Sequence, residues 1–208
     1  MGVNASLALQ RKGKQIMKYI IEEYKKEWLF FKKEMKVIFL IMLVGLILLM
    51  VGSHFLLSAL IKSQPGLINS IAATIQEALS GVDLANDSPF TSVIKLFFNN
   101  ARVCLISISL GIVPFLFLPI FTYFINGAIV GAVTAFSSAV ANFGLSFFMA
   151  SLLPHGIFEF PAIVYACALG IYLCKENTKI VLKKSDKRFI NVAIDTLRSY
   201  VIVILPLL

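Results

Sequence analysis

The sequence predicts an all-α protein, a polytopic transmembrane helix bundle of four spans with at most a partial fifth, preceded by an N-terminal amphipathic helix. Three observations carry this. Hydrophobic residues make up 59% of the 208 positions and charged residues only 14%, too little charge to solvate a soluble domain of this size. Residues 37–61 are uncharged, long enough for a tilted helix to cross a hydrocarbon core that takes about 20 residues. Between Val103 and Phe158 there is no Asp, Glu, Lys or Arg, a run suited to two further helices.

The charge distribution sets the expected address. The formal net charge is +8, but the basic residues fall into two blocks on either side of the long apolar region, without a continuous basic face. This pattern excludes nucleic acid as a partner and favours membrane lipids with anionic headgroups. Cys104, Cys167 and Cys174 lie in or beside apolar segments with neither CxxC spacing nor a histidine cluster, so they read as small core residues.

Residues 1–36 form the first domain, a cytoplasmic N-terminal segment. Met17, Ile21, Tyr24, Trp28, Phe31 and Met35 recur in steps of four and three, with Lys18, Lys25 and Lys32 beside them, which predicts an amphipathic helix. It serves as a membrane-surface helix, with Trp28 at the headgroups, or as a short partner-binding seam. Residues 37–208 form the transmembrane domain. Its first span, about 37–61, follows a polar and basic stretch and has no small-residue cleavage site, as in a retained signal anchor. His54 near its far end reads as a hydrogen-bonded interfacial histidine.

Lys62 to Lys95 reads as a polar interval. Gly81, Asp83, Asn86, Asp87 and Pro89 supply turn chemistry, and Ile68, Ile71, Ala72, Ile75 and Leu79 make one face of a short surface helix. It is the least basic connector, as an external loop should be. Asn126-Gly127 is the expected fold point of the uncharged run, which places spans at about 103–125, kinked by Pro114 and Pro119, and at about 128–150, where Gly131 and small neighbours permit close approach. The next span, about 154–174, opens at Pro154. Residues 175–198 then hold seven basic and three acidic residues. This block and the N-terminal one both fall on one side, which the positive-inside rule makes cytoplasmic, giving a multi-pass protein of the cell membrane. Residues 199–208 are too short to complete a crossing, so they either lie at the interface or form a partial fifth span.

The candidate site is an intramembrane polar cluster. Pro154, His155, Gly156, Glu159 and Pro161 follow one another closely, with His155 and Glu159 one helical turn apart. Asn99, Asn100 and Arg102 stand at the start of the second expected span and Asn126 with Gly127 between spans. Polar groups in a bilayer are costly unless satisfied, so such a cluster marks a functional or locking site, and Arg102 is expected to pair with Glu159. His155 and Glu159 supply two ligands where a hydrolytic metal site needs three plus water, so no metal, cofactor or catalytic residue is assigned and an enzymatic role is the less favoured reading. Walker A, GxSxG and dinucleotide fingerprints are absent from the sequence.

The element Leu153-Pro154-His155-Gly156-Ile157-Phe158-Glu159-Phe160-Pro161-Ala162, with Asn99-Asn100, Arg102, Asn126-Gly127 and Gly131 before it, resembles the stage II sporulation protein M family of bacterial and archaeal membrane proteins. The resemblance implies a helical membrane protein with about five spans. It also implies a non-catalytic scaffold or accessory subunit that positions membrane partners, such as a cell-wall hydrolase during sporulation. The alternative it implies is a component of bacteriocin maturation, export or immunity, working with a transporter and a peptide precursor. The intact Pro-His-Gly-x-x-Glu element is closer to the broad family than to its sporulation branch.

Overall fold

The structure is a computed structural model that describes residues 2–78, 88–141 and 145–208, and side chains outside 1–11, 72, 74–78, 89, 140–141 and 145–155. Gly81, Asp83, Asn86 and Asp87 therefore lie outside the described residues. Every regular element among the described residues is helical. They run α1 (Gly2–Phe30), a π-helical turn (Phe31–Met35), α2 (Lys36–Ser63), α3 (Leu67–Ala78), α4 (Pro89–Leu110), α5 (Pro119–Ala141), α6 (Leu145–Val181), α7 (Phe189–Ser199), a second π-helical turn (Tyr200–Ile204) and the short α8 (Leu205–Leu207). The chain divides into two units, Met1–Lys36 and Val37–Leu208.

In the first unit, helical residues carry the expected amphipathic spacing. Lys18, Lys25, Trp28 and Lys32 are all exposed. The Lys32 ammonium sits 4.9 Å from the Trp28 ring centroid, and that ring stacks on Phe31 at 5.8 Å. These i, i+3 and i, i+4 neighbours form because side chains so spaced share a helix face.

In the second unit, α6 is the central element: residues 162–170 are buried without interruption. Helices α4, α5 and α7 pack around it, and α3 lies against α5. Among the described residues five helical stretches are long and apolar enough to cross a membrane: Lys12–Ser63, Phe90–Leu110, Pro119–Ala139, Gly156–Val181 and Phe189–Leu207.

These bounds correct four of the expected spans. Asn126-Gly127 is not a fold point but lies within α5, where the Asn126 side-chain amide donates to the Thr122 carbonyl at 2.7 Å. The chain instead breaks at residues 111–118, so Pro114 falls in the connection and Pro119 opens α5, a position where its missing N–H costs nothing. The spans expected at 103–125 and 128–150 are therefore 90–110 and 119–139. The connection contains no charged residue, which is why a hydropathy pattern runs straight through it. Helix α4 starts at Pro89, with Ser88 as its N-cap accepting from the Thr91 amide at 3.2 Å, so Lys95, Asn99, Asn100 and Arg102 lie within a helix rather than ahead of one.

The fourth expected span, 154–174, is part of a longer helix. Pro154 does not start it; α6 begins at Leu145 and continues to Val181, with Pro154 and Pro161 in its interior. The partial fifth span at 199–208 becomes a full-length stretch because α7 begins at Phe189, inside the block read as a basic loop. There Asp195 and Arg198 pair at 3.2 Å across one turn, so the helix carries two charges that cancel locally.

The end of α6 contains a local rule broken at a definite place. Lys184 N–H bonds the Lys179 carbonyl at 2.8 Å and Lys183 N–H bonds the Ile180 carbonyl at 3.0 Å, the paired bonds of a Schellman motif. Lys183 therefore takes the left-handed position, φ 54°, that usually belongs to glycine. Lys183→Gly is expected to stabilise the protein by about 0.5–1 kcal/mol, seen as a raised Tm in detergent; a lowered Tm would contradict the assignment of strain.

Candidate functional site

Two close helix seams set the geometry of the polar groups. In the first, α2 and α5 run side by side: Gly127 meets Leu46 and Leu49, Gly131 meets Ser53 and Met50, and Gly45 meets the Tyr123 ring. A Cβ at Gly131 would overlap the Ser53 side chain, so the glycine spacing is a packing requirement. Along this seam the Tyr123 hydroxyl donates to the Met42 carbonyl at 2.8 Å. Thr134 donates its single hydroxyl proton to the Gly131 carbonyl at 2.6 Å, so the 2.7 Å contact with His54 must be a bond donated by His54 Nδ1–H. The expected hydrogen-bonded histidine is thus tied to α5.

In the second seam, α4 and α6 run parallel, and Gly111 and Gly170 face each other backbone to backbone. Beside them Thr122 donates to the Pro119 carbonyl at 2.8 Å, leaving Ser107 to donate to Thr122 at 2.5 Å and the Cys167 thiol to donate to Ser107 at 3.5 Å. One directed chain of bonds therefore joins α6, α4 and α5. Further along, the Tyr200 hydroxyl donates to the Ala101 carbonyl at 3.0 Å and binds α4 to the last helical stretch. All three cysteines are free and buried, the environment expected of small core residues.

At the end of the bundle where α4 finishes, α6 holds the 111–118 connection. Phe115 N–H donates to Thr178 Oγ1 at 2.9 Å, the Asn177 side-chain amide donates to the Ile112 carbonyl, and the Cys174 thiol donates to the Val113 carbonyl at 3.3 Å. Within this connection Phe115 and Phe117 take positive φ, 69° and 46°. One turn away Glu176, its side chain only 3% exposed, accepts from Lys179 at 2.7 Å and from Lys187 at 3.0 Å. Lys187 also donates to the Tyr172 hydroxyl at 3.2 Å. Burial alone would lower the Lys187 pKa, but its hydrogen bonds to Glu176 and Tyr172 and their charges outweigh that and hold it above the ordinary lysine range.

The residues singled out in the sequence are only partly gathered. Ser107 lies beside Cys167, a register of sixty residues between parallel helices, which sets Asn99 level with Glu159. Glu159 is half-buried, as are Asn100 and Pro161, whereas Asn99 and Arg102 are exposed. The expected Arg102–Glu159 pair is not formed: Arg102 lies on the face of α4 turned away from α6 and makes no ion pair among the described residues. The side chains of Pro154 and His155 lie outside the described residues. Gly156 is half-buried against Phe160, Gly127 belongs to the α2–α5 seam, and Asn126 bonds back to the Thr122 carbonyl within α5. Among the described residues no three His, Cys, Asp or Glu side chains come together as a metal ligand set.

Sequence reasoning missed the Ser107–Thr122–Cys167 chain and the Glu176 clasp. The first consists of residues that look like ordinary small members of an apolar run. The second carried a usable signal, since Glu176 is flanked by Lys175 and Lys179 on one helix, but charge counting treated that stretch as a solvated loop.

An all-α bundle with five apolar helices, tied together by buried interhelical hydrogen bonds, defines a helical membrane protein. The stage II sporulation protein M family model matches residues 59–208, and the chain belongs to that family. No curated protein and no solved structure matches it.

Proposed function

We propose that this protein is a non-catalytic membrane scaffold or accessory subunit that holds partner proteins at the cell membrane. One observation carries the reading: several described polar side chains of the core form bonds between helices. His54–Thr134, Tyr123–Met42, Cys167–Ser107–Thr122 and Tyr200–Ala101 each join separate elements. Such groups rigidify a bundle when satisfied, which suits a platform for other proteins. In this reading the chain crosses the bilayer five times. The basic N-terminal segment and the Lys183, Lys184, Lys187 and Arg188 turn lie in the cytoplasm, and the 64–88 segment lies outside. The exposed lysines and Trp28 of α1 meet anionic lipid or a cytoplasmic partner.

Copurification of the tagged full chain after mild solubilisation is the test. Reproducible membrane companions are expected, and a solitary protein would overturn the reading. Companions comprising an ATP-driven transporter and a small hydrophobic precursor peptide would assign the chain to bacteriocin maturation, export or immunity, while a cell-wall hydrolase would favour the scaffold of the sporulation branch. His155→Ala and Glu159→Ala are expected to lower folded yield, as parts of a structural lock. Variants that fold normally but lose a measurable export or immunity phenotype would instead make this element an active one.

A further inference from the structure

Helix α4 divides cleanly into two faces. Ala101, Cys104, Ser107 and Ile108 are buried against the bundle, while Phe98, Asn99, Arg102, Leu105, Ile106 and Ser109 are exposed. At 100° per residue, Arg102 falls near the centre of the outward face. It stands twelve residues from Phe90 and eight from Leu110, about 18 Å and about 12 Å at 1.5 Å rise per residue. Helical side chains lean toward the N-terminus, so this guanidinium is directed toward the turn of α4 that carries Asn99 and away from the nearer end of the helix. A permanently charged group at that depth is costly unless paired.

Two acidic groups in the long apolar helices have such pairing. Glu176 is bound by two lysines, and Asp195 is bound by Arg198. Arg102 forms no ion pair among the described residues, and Asn99 lies one turn from it on the same outward face. A second copy of this chain meeting it about a two-fold axis would bring two Arg102 guanidiniums together, which disfavours a symmetric dimer here.

We propose that the outward face of α4 centred on Arg102 is the docking site for a transmembrane helix of a partner protein that carries a carboxylate within its apolar stretch. The guanidinium pairs with that carboxylate, Asn99 supplies a neighbouring hydrogen bond, and Leu105 and Ile106 pack against the partner helix. This inference rests on the scaffold reading and names the chemistry of its partner.

The test uses the purified full-length chain in phosphatidylcholine vesicles with synthetic leucine-rich transmembrane peptides bearing a central Glu, Gln, Lys or Leu. Association is read by energy transfer between labels. The Glu peptide is expected to associate at least tenfold more tightly than the Leu or Gln peptides, and Arg102→Gln to reduce that preference to less than twofold. Arg102→Glu should transfer the preference to the Lys peptide, an outcome that mere loss of folding cannot produce. Equal association of all four peptides, an unchanged Glu preference in Arg102→Gln, or self-association that excludes every peptide would overturn the proposal. The copurification experiment separates the two readings. Native companions retained by Arg102→Gln would count against this docking face alone, whereas a wild-type chain with Glu-peptide preference and no companions would count against the scaffold reading.

Discussion

Gly170→Ala is expected to lower stability by about 3 kcal/mol, toward the upper end of the cost of overpacking a core. A Cβ at Gly170 would lie 2.5 Å from the Ser107 carbonyl oxygen and 2.7 Å from Pro119 Cγ. Neither obstacle is the free end of a flexible side chain: one is backbone, the other a ring anchored at the start of α5. The bundle can accept the methyl group only by separating α4 from α6, and that movement would strain the Cys167–Ser107–Thr122 chain beside it. The control is Gly52→Ala in α2, where an added Cβ meets nothing within 4 Å. The same chemical change should there be neutral or stabilising by up to about 1 kcal/mol, since alanine is the better helix former. Thermal unfolding of the two variants in detergent, followed by circular dichroism, decides the matter. If Gly170→Ala unfolds within a degree of the wild type, the glycine contact is not a determinant of packing.

The second large effect concerns Glu176. Glu176→Ala removes two charge-assisted hydrogen bonds, each worth about 1.5–3 kcal/mol in general, yet the Lys179 and Lys187 side chains are 42% and 45% exposed and can return to water. A loss of about 2 kcal/mol is therefore expected. Its origin can be assigned by a double-mutant cycle of Glu176→Ala with Lys187→Met. Non-additivity of about 1 kcal/mol is expected for a pair in contact, and strictly additive effects would remove the ion pair from the account. Because the Lys187 pKa is raised in the folded protein, its contribution is fully present below the ordinary lysine value and is lost only at more alkaline pH, as the amine deprotonates through its raised pKa.

These two variants probe opposite kinds of legibility. Gly170 is unremarkable in the sequence, one glycine in an apolar run, because no local pattern records which backbone lies opposite. Glu176 is conspicuous, but its charge suggested a solvated cytoplasmic loop and so shortened α6. The same habit of reading charge as loop displaced the start of α4, where Lys95 and Arg102 are helical, and truncated the last crossing, where Asp195 and Arg198 neutralise each other. Conversely, the connection at residues 111–118 went unnoticed because it is apolar. Its backbone is held by Asn177 and Thr178, residues more than sixty positions away.

The sequence by itself determined the solvent, the helical class, the family resemblance and the amphipathic character of α1, because these depend on composition, charge asymmetry and local periodicity. It also marked Arg102 and Glu159 as the charges most in need of explanation. Tertiary structure decided where the helices begin and end, which buried hydroxyls and thiols join them, and that Arg102 turns outward instead of meeting Glu159. Those outcomes depend on which face of each helix is covered. Coverage is set by backbone approach at the glycine seams and by the sixty-residue register between α4 and α6, and neither is written in any local stretch of the chain.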